Sequence, residues 1–216
     1  VPRNYEHRSV AEYEAYKQSF QYQLRNRILP GAIAAVLLCI VGYGLFWSGR
    51  QFVYKPLRAS SLYKQGYTLL DNNEYPLSEV KFDKAVTYRP MKDWFFKYAR
   101  GYRDHKQYER AAQMYRRILA RFKHDKQAGL EYATMELYNR ANYARAEEIV
   151  RREVLDYHIN DSAGLLLLGD IFLEWADVDE SKYETARLQY ATLVELYGAT
   201  DLYMSRMMRY FIRQPA

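Results

Sequence analysis

Between Ala59 and Pro90 the chain spaces small, aliphatic and aromatic residues as two packed helices would require. Counting Ala59 as position 1, Leu62 falls at 4, Gly66 at 8, Leu69 at 11, Ser78 at 20, Phe82 at 24, Ala85 at 27 and Pro90 at 32. Gly66 and Ser78 are small where two antiparallel helices would approach most closely, and Phe82 is placed to fill the wedge toward the next pair. Pro90 ends the second helix because it lacks an N–H and clashes with the preceding turn.

The pattern recurs. Phe95, Tyr98, Ala99 and Tyr102 form the first-helix face of a second copy, with Ala111, Tyr115 and Ile118 on its second helix. A third aligns Ala133 with Ala99, and residues 142–146 with 107–111. A fourth carries Leu165, Leu168, Gly169 and Phe172, then Tyr183, Ala186 and Tyr190, with Asp177 to Ser181 as an inserted inter-helix turn. After Gly198, Asp201 is expected to cap a further helix, Leu202 to Arg213.

Residues 59–90 in this spacing resemble the tetratricopeptide repeat, a helix–turn–helix unit of 34 residues. The expected fold is all-α: an N-terminal amphipathic helix (1–27), one transmembrane helix (28–47) and a linker or helix extension (48–58). A right-handed α-solenoid of about four such hairpins follows (59–90, 91–124, 125–160, 161–199), then an extra C-terminal helix (200–214). The absent initiator Met suggests processing or a fragment of a longer chain, and the apolar last helix suggests that something packs on it, further repeats included.

Ile28 to Trp47 contains no charged residue. At about 1.5 Å per residue such a run reaches roughly 30 Å, the hydrocarbon thickness of a bilayer. Arg25 and Arg27 flank one end, Arg50 and Lys55 the other, with Tyr43, Phe46, Trp47, Phe52 and Tyr54 as interfacial aromatics. Nearby basic residues balance across the span, so orientation rests on signal-anchor logic. That logic puts the short arm in the cytoplasm and the repeats across the inner membrane, in the periplasm. Gly31, Ala35 and Cys39 form a small-residue stripe, a common feature of such spans. In the arm, Val10, Tyr13, Tyr16, Phe20 and Leu24 share one helical face behind Ser9 as N-cap, suited to a lipid surface or a docking partner.

Composition excludes several classes. A net charge of +6 on 216 residues is no nucleic-acid footprint. The four histidines and single cysteine have no metal-ligand spacing, and no phosphate-binding glycine motif occurs. No cofactor and no enzymatic activity are expected. Tyrosine is in excess, 23 residues, which suits hairpin wedges that bury a ring while the hydroxyl finds a partner.

Recognition of other proteins remains. The resemblance implies a concave groove lined by the first helix of each hairpin at positions 2, 5, 9 and 12. On this chain it points to Tyr63, Tyr67, Leu70, Phe96, Arg100, Arg103, Leu130, Thr134, Leu166 and Asp170. Tyr63 and Tyr67 replace the Lys and Asn of the clamp that some family members use for chaperone tails. An arm, one span and tyrosine-rich repeats are also similar in layout to the periplasmic flagellar collar proteins of spirochaetes. That similarity implies a scaffold supporting stator assembly. A chaperone-associated protein at the translocon and an organelle import receptor are the alternatives. The expected partners are the bilayer and proteins of a membrane-associated assembly, with self-association allowed.

Overall fold

The computed structural model describes Phe20, Leu24 and residues 28–214. The amphipathic arm otherwise lies outside the described residues. Every element among them is helical, with no strand. In chain order these are α1 (Leu29–Gly49), a π-helical turn (Arg50–Tyr54), α2 (Lys55–Asp71), α3 (Tyr75–Tyr88), α4 (Lys92–Asp104) and α5 (Tyr108–Arg121). Then come α6 (Lys126–Arg140), α7 (Tyr143–Ile149) with a π-helical extension (Val150–Leu155), α8 (Ser162–Ala176), α9 (Lys182–Tyr197) and α10 (Asp201–Arg213). The chain divides into two units, 1–60 and 61–216, with the boundary inside α2.

In the first unit, the helix that begins at Leu29 is long and apolar enough to cross a membrane, and none of its apolar stretch is buried. Pro30 sits in its first turn, where a missing N–H costs nothing. Past Gly49 the backbone widens, and Lys55 N–H donates to Arg50 O. Phe46, Trp47, Phe52 and Tyr54 are all exposed around this turn.

In the second unit α4 packs on α5, α6 on α7, and α8 on α9, while α5 meets α6, α7 meets α8, and α9 meets α10. Close approach is possible because small residues stand at the crossings. A Cβ on Gly66 would lie 2.9 Å from Lys81 Cβ and 3.1 Å from Ser78 O. On Gly129 and Gly164 it would meet Val154 Cγ2 at 2.6 Å and Leu155 Cδ2 at 2.8 Å, so α6 and α8 close on the extension of α7. On Gly169 it would meet the Tyr190 ring at 2.6 Å.

The ends of the helices follow local chemistry. α2 and α4 finish in the same turn: Glu74 N–H donates to Leu69 O and Gln107 N–H to Tyr102 O, with Asn73 and Lys106 left-handed. The N-cap side chains of Asp125, Asn142, Asp161 and Thr200 accept from Ala128, Arg145, Gly164 and Tyr203 N–H. The last of these corrects an expectation, since Thr200 rather than Asp201 caps α10. Asp201 is the first helical residue and favours the positive end of the helix dipole.

An aromatic cluster fills the core. Phe82 lies 4.8 Å from the Phe95 ring, 4.6 Å from Tyr98 and 5.4 Å from Tyr63. The buried hydroxyls are partnered: Tyr98 donates to Tyr63 O at 2.8 Å, Tyr63 to Arg89 O at 3.1 Å, and Tyr190 to Asp170 Oδ1 at 2.7 Å. Each of these rings contributes apolar burial without an orphaned hydroxyl.

Candidate protein-binding groove

With Ala59 as position 1, the first residues of α4, α6, α8 and α10 are Lys92, Lys126, Ser162 and Asp201. Position 9 of α2, α4 and α8 then meets position 6 of α4, α6 and α10 respectively. Lys97 Nζ stands 4.3 Å over the Tyr67 ring. Arg100 Nε donates to Glu131 Oε2 at 2.9 Å. Arg206 Nε is 3.3 Å from Asp170 Oδ1. Only Thr134 and Leu167 in this series are both uncharged, and they flank a cavity of about 290 Å³.

A second row repeats at the helix starts. Lys92 pairs with the cap carboxylate of Asp125, and Lys126 with that of Asp161 at 2.8 Å. Between α3 and α5, Arg110 reaches Glu79 at 2.8 Å and Arg117 reaches Asp83 at 2.6 Å, while Arg140 of α6 reaches Glu109 of α5. Most of these pairs span 31 to 35 residues, so they join one helix pair to the next.

The electrostatics follow from this packing. Burial alone would raise the Glu131 carboxyl, but hydrogen bonds from Arg100 and Gln127 outweigh it and hold it below its ordinary value. Asp170 goes the other way. Burial pushes it up, and the Tyr190 hydroxyl and Arg206 only partly offset that. Burial also lifts the Tyr63 phenol to about 12.

The ten residues expected to line a groove divide into three groups. Tyr63, Leu70 and Phe96 are buried and present no surface to a partner. Tyr63 is inside because its ring stacks on Trp94 at 5.5 Å and meets Phe82 edge-on, so it serves as core instead of anchor. Tyr67, Arg100 and Arg103 are half-buried. The first two are engaged by Lys97 and Glu131, and Arg103 pairs with its neighbour Asp104. Leu130, Thr134, Leu166 and Asp170 come together around the cavity, joined by Tyr138, Ala163, Leu167 and Arg206.

This cavity is where four of the ten expected residues converge. Its walls are aliphatic, the exposed Tyr138 ring stands at its rim, and the buried Asp170 and half-buried Arg206 supply a polar edge. Such a site suits an apolar side chain whose backbone can reach a hydrogen-bonding group. Tyr138 and Arg206 were missed by position-based reading; both lie outside positions 2, 5, 9 and 12. The signal for Arg206 is its opposite charge to Asp170, one repeat earlier. No cluster of three or more potential metal ligands occurs among the described residues. Comparison with protein-family models and with curated proteins finds no match.

Proposed function

We propose that this chain is a membrane-anchored scaffold that docks other proteins through the inner face of a tetratricopeptide-like array. In this reading α1 spans the bilayer, and α2 to α9 form a right-handed α-solenoid of about four hairpins followed by α10. The observation that carries the reading is the joint occurrence of two features: an exposed, uncharged α1 and a helical unit whose charge pairs recur at one-repeat spacing. Tethering raises the local concentration of weak contacts, which is what an assembly scaffold needs.

The cavity between α6 and α8 is the docking point. We place the array on the periplasmic side of the inner membrane by signal-anchor logic, in the class of scaffold that the flagellar collar proteins represent. Within this proposal the protein is non-catalytic. Two measurements test it together. The chain should resist alkaline extraction from membranes, and Leu37→Arg combined with Val41→Arg should release it. The repeat unit should be protected from external protease until the outer compartment is opened. Extraction of the unaltered chain, or digestion from the cytoplasmic side, would overturn the assignment.

A further inference from the structure

Two cavities flank α5, one toward α3 and one toward α7. The first, of about 580 Å³, has Val86 and the buried Phe95 in its walls, with Asp83, Arg117 and Arg121 at its edge. The second, of about 410 Å³, has Leu119 and Ile149 in its walls, with Arg116, Arg145 and Arg152 beside Glu148 and Glu153. Ala120 lines both, so its single methyl is the low point between them. The two are successive versions of one seat. Val86 follows Ser78 by 8 residues as Leu119 follows Ala111, and Arg117 follows Gln107 by 10 as Arg152 follows Asn142.

The lining is basic. Five arginines stand against three carboxylates, Asp83, Glu148 and Glu153. Arg117 pairs with Asp83 at 2.6 Å, and Arg145 and Arg152 share Glu148 at 2.6 and 3.1 Å. Arg116 donates to the Tyr132 hydroxyl at 3.2 Å, and neither Arg116 nor Arg121 has a carboxylate partner among the described residues. The inner cavity, by contrast, carries one charge of each sign, Asp170 and Arg206. A group entering the α5 cavities meets apolar walls and unneutralised guanidinium groups together.

We propose that these two cavities seat an acidic amphipathic helix of a partner protein, laid across α5 at Ala120 with one apolar side chain in each. Geometry favours a helix as the occupant. The seats lie on either side of one helix, whose packed width is about 8–10 Å. On a partner helix, side chains seven residues apart share a face and stand about 10 Å apart. Charge selects an acidic one. Glutamates flanking the two anchors reach Arg116 and Arg121, whose guanidinium groups pair with carboxylates through two parallel hydrogen bonds. Apolar walls beside those arginines separate this partner from a nucleic acid, which would meet the charge and leave the walls uncovered. The inference rests on neither the membrane anchor nor the cavity between α6 and α8.

Fluorescence anisotropy on the full chain in phosphatidylcholine nanodiscs tests this. The probe is a labelled, Glu-rich helical peptide with two Leu residues seven apart, which should bind saturably. Replacing both Leu with Ser, or every Glu with Lys, should weaken binding at least about tenfold. Arg121→Glu should do the same by reversing a charge, and Ala120→Trp by filling the low point with the charge unchanged. Both positions are exposed, so helicity should be retained in each variant. Leu166→Glu, in the inner cavity, should leave the affinity unchanged, which keeps this test apart from the docking reading. Equal affinity for the Leu-free peptide, or for a DNA oligonucleotide of matched charge, would overturn the proposal by reducing it to bare charge attraction. So would the absence of saturable binding, or undiminished binding by the Arg121→Glu and Ala120→Trp chains.

Discussion

Arg100 of α4 grips Glu131 of α6 through both guanidinium arms, with Nε 2.9 Å from Oε2, across 31 residues of sequence. Tyr115 adds its hydroxyl to the same carboxylate at 3.2 Å. One residue thus ties three helices together, and its position at the 9-to-6 contact explains why Arg100 is not a free basic spot for a partner.

Replacing Glu131 with Gln should cost about 1 kcal/mol, the discounted worth of a half-exposed charge pair with good geometry. The cost should depend on pH. The folded carboxyl titrates below its ordinary value, so its stabilisation is present above the unfolded value and disappears as pH falls through the folded one. Urea unfolding of both chains should show the gap closing in acid; a constant gap would separate Glu131 from any linkage effect.

Asp170 should behave in the opposite sense. Burial raises its folded value, so the native state holds the proton more tightly than the unfolded chain does. Stability from this group is complete below the unfolded value and is lost as pH rises through the folded value. Asp170→Asn should therefore gain relative to the unaltered protein as pH rises through the range above the ordinary carboxylate value of about 4. Parallel thermal melts across that range check the sign.

Gly169→Ala should destabilise by about 1 to 3 kcal/mol. The new methyl would strike the Tyr190 ring, which is fully buried and tied to Asp170, so it cannot swing aside cheaply. A variant as stable as the original would mean that α8 and α9 are further apart than described.

Ala141→Gly should stabilise by about 1 kcal/mol and raise Tm by roughly 2 to 4 °C. Ala141 closes α6 in the left-handed region with φ 49°, where Cβ is unfavourable and Gly is not. Differential scanning calorimetry of the full chain would measure it.

Much of the helical layout could be read from the chain. Small residues at position 8, the aromatic Phe82, and the insertion at Asp177–Ser181 mark crossings, wedge and turn, because packing volume is written residue by residue. The uncharged run at Ile28–Trp47 was equally plain, though the helix continues to Gly49 and then widens into a π turn that no residue type announces. The groove was harder to read. Whether position 5 or 9 faces solvent depends on a neighbour one repeat away: Tyr63 is covered by Trp94, and Tyr67 by Lys97. The pairing also changes sign along the array, Arg to Glu and then Asp to Arg, so no single motif encodes it.

Site-specific photocrosslinking from Tyr138, the exposed ring at the cavity between α6 and α8, tests the docking claim most directly. In intact membranes the account predicts a small, fixed set of neighbouring proteins, reduced when Leu166 is changed to Glu while helicity is retained. A scatter of unrelated unfolded clients, or an unchanged neighbour set in the Leu166→Glu chain, would contradict it.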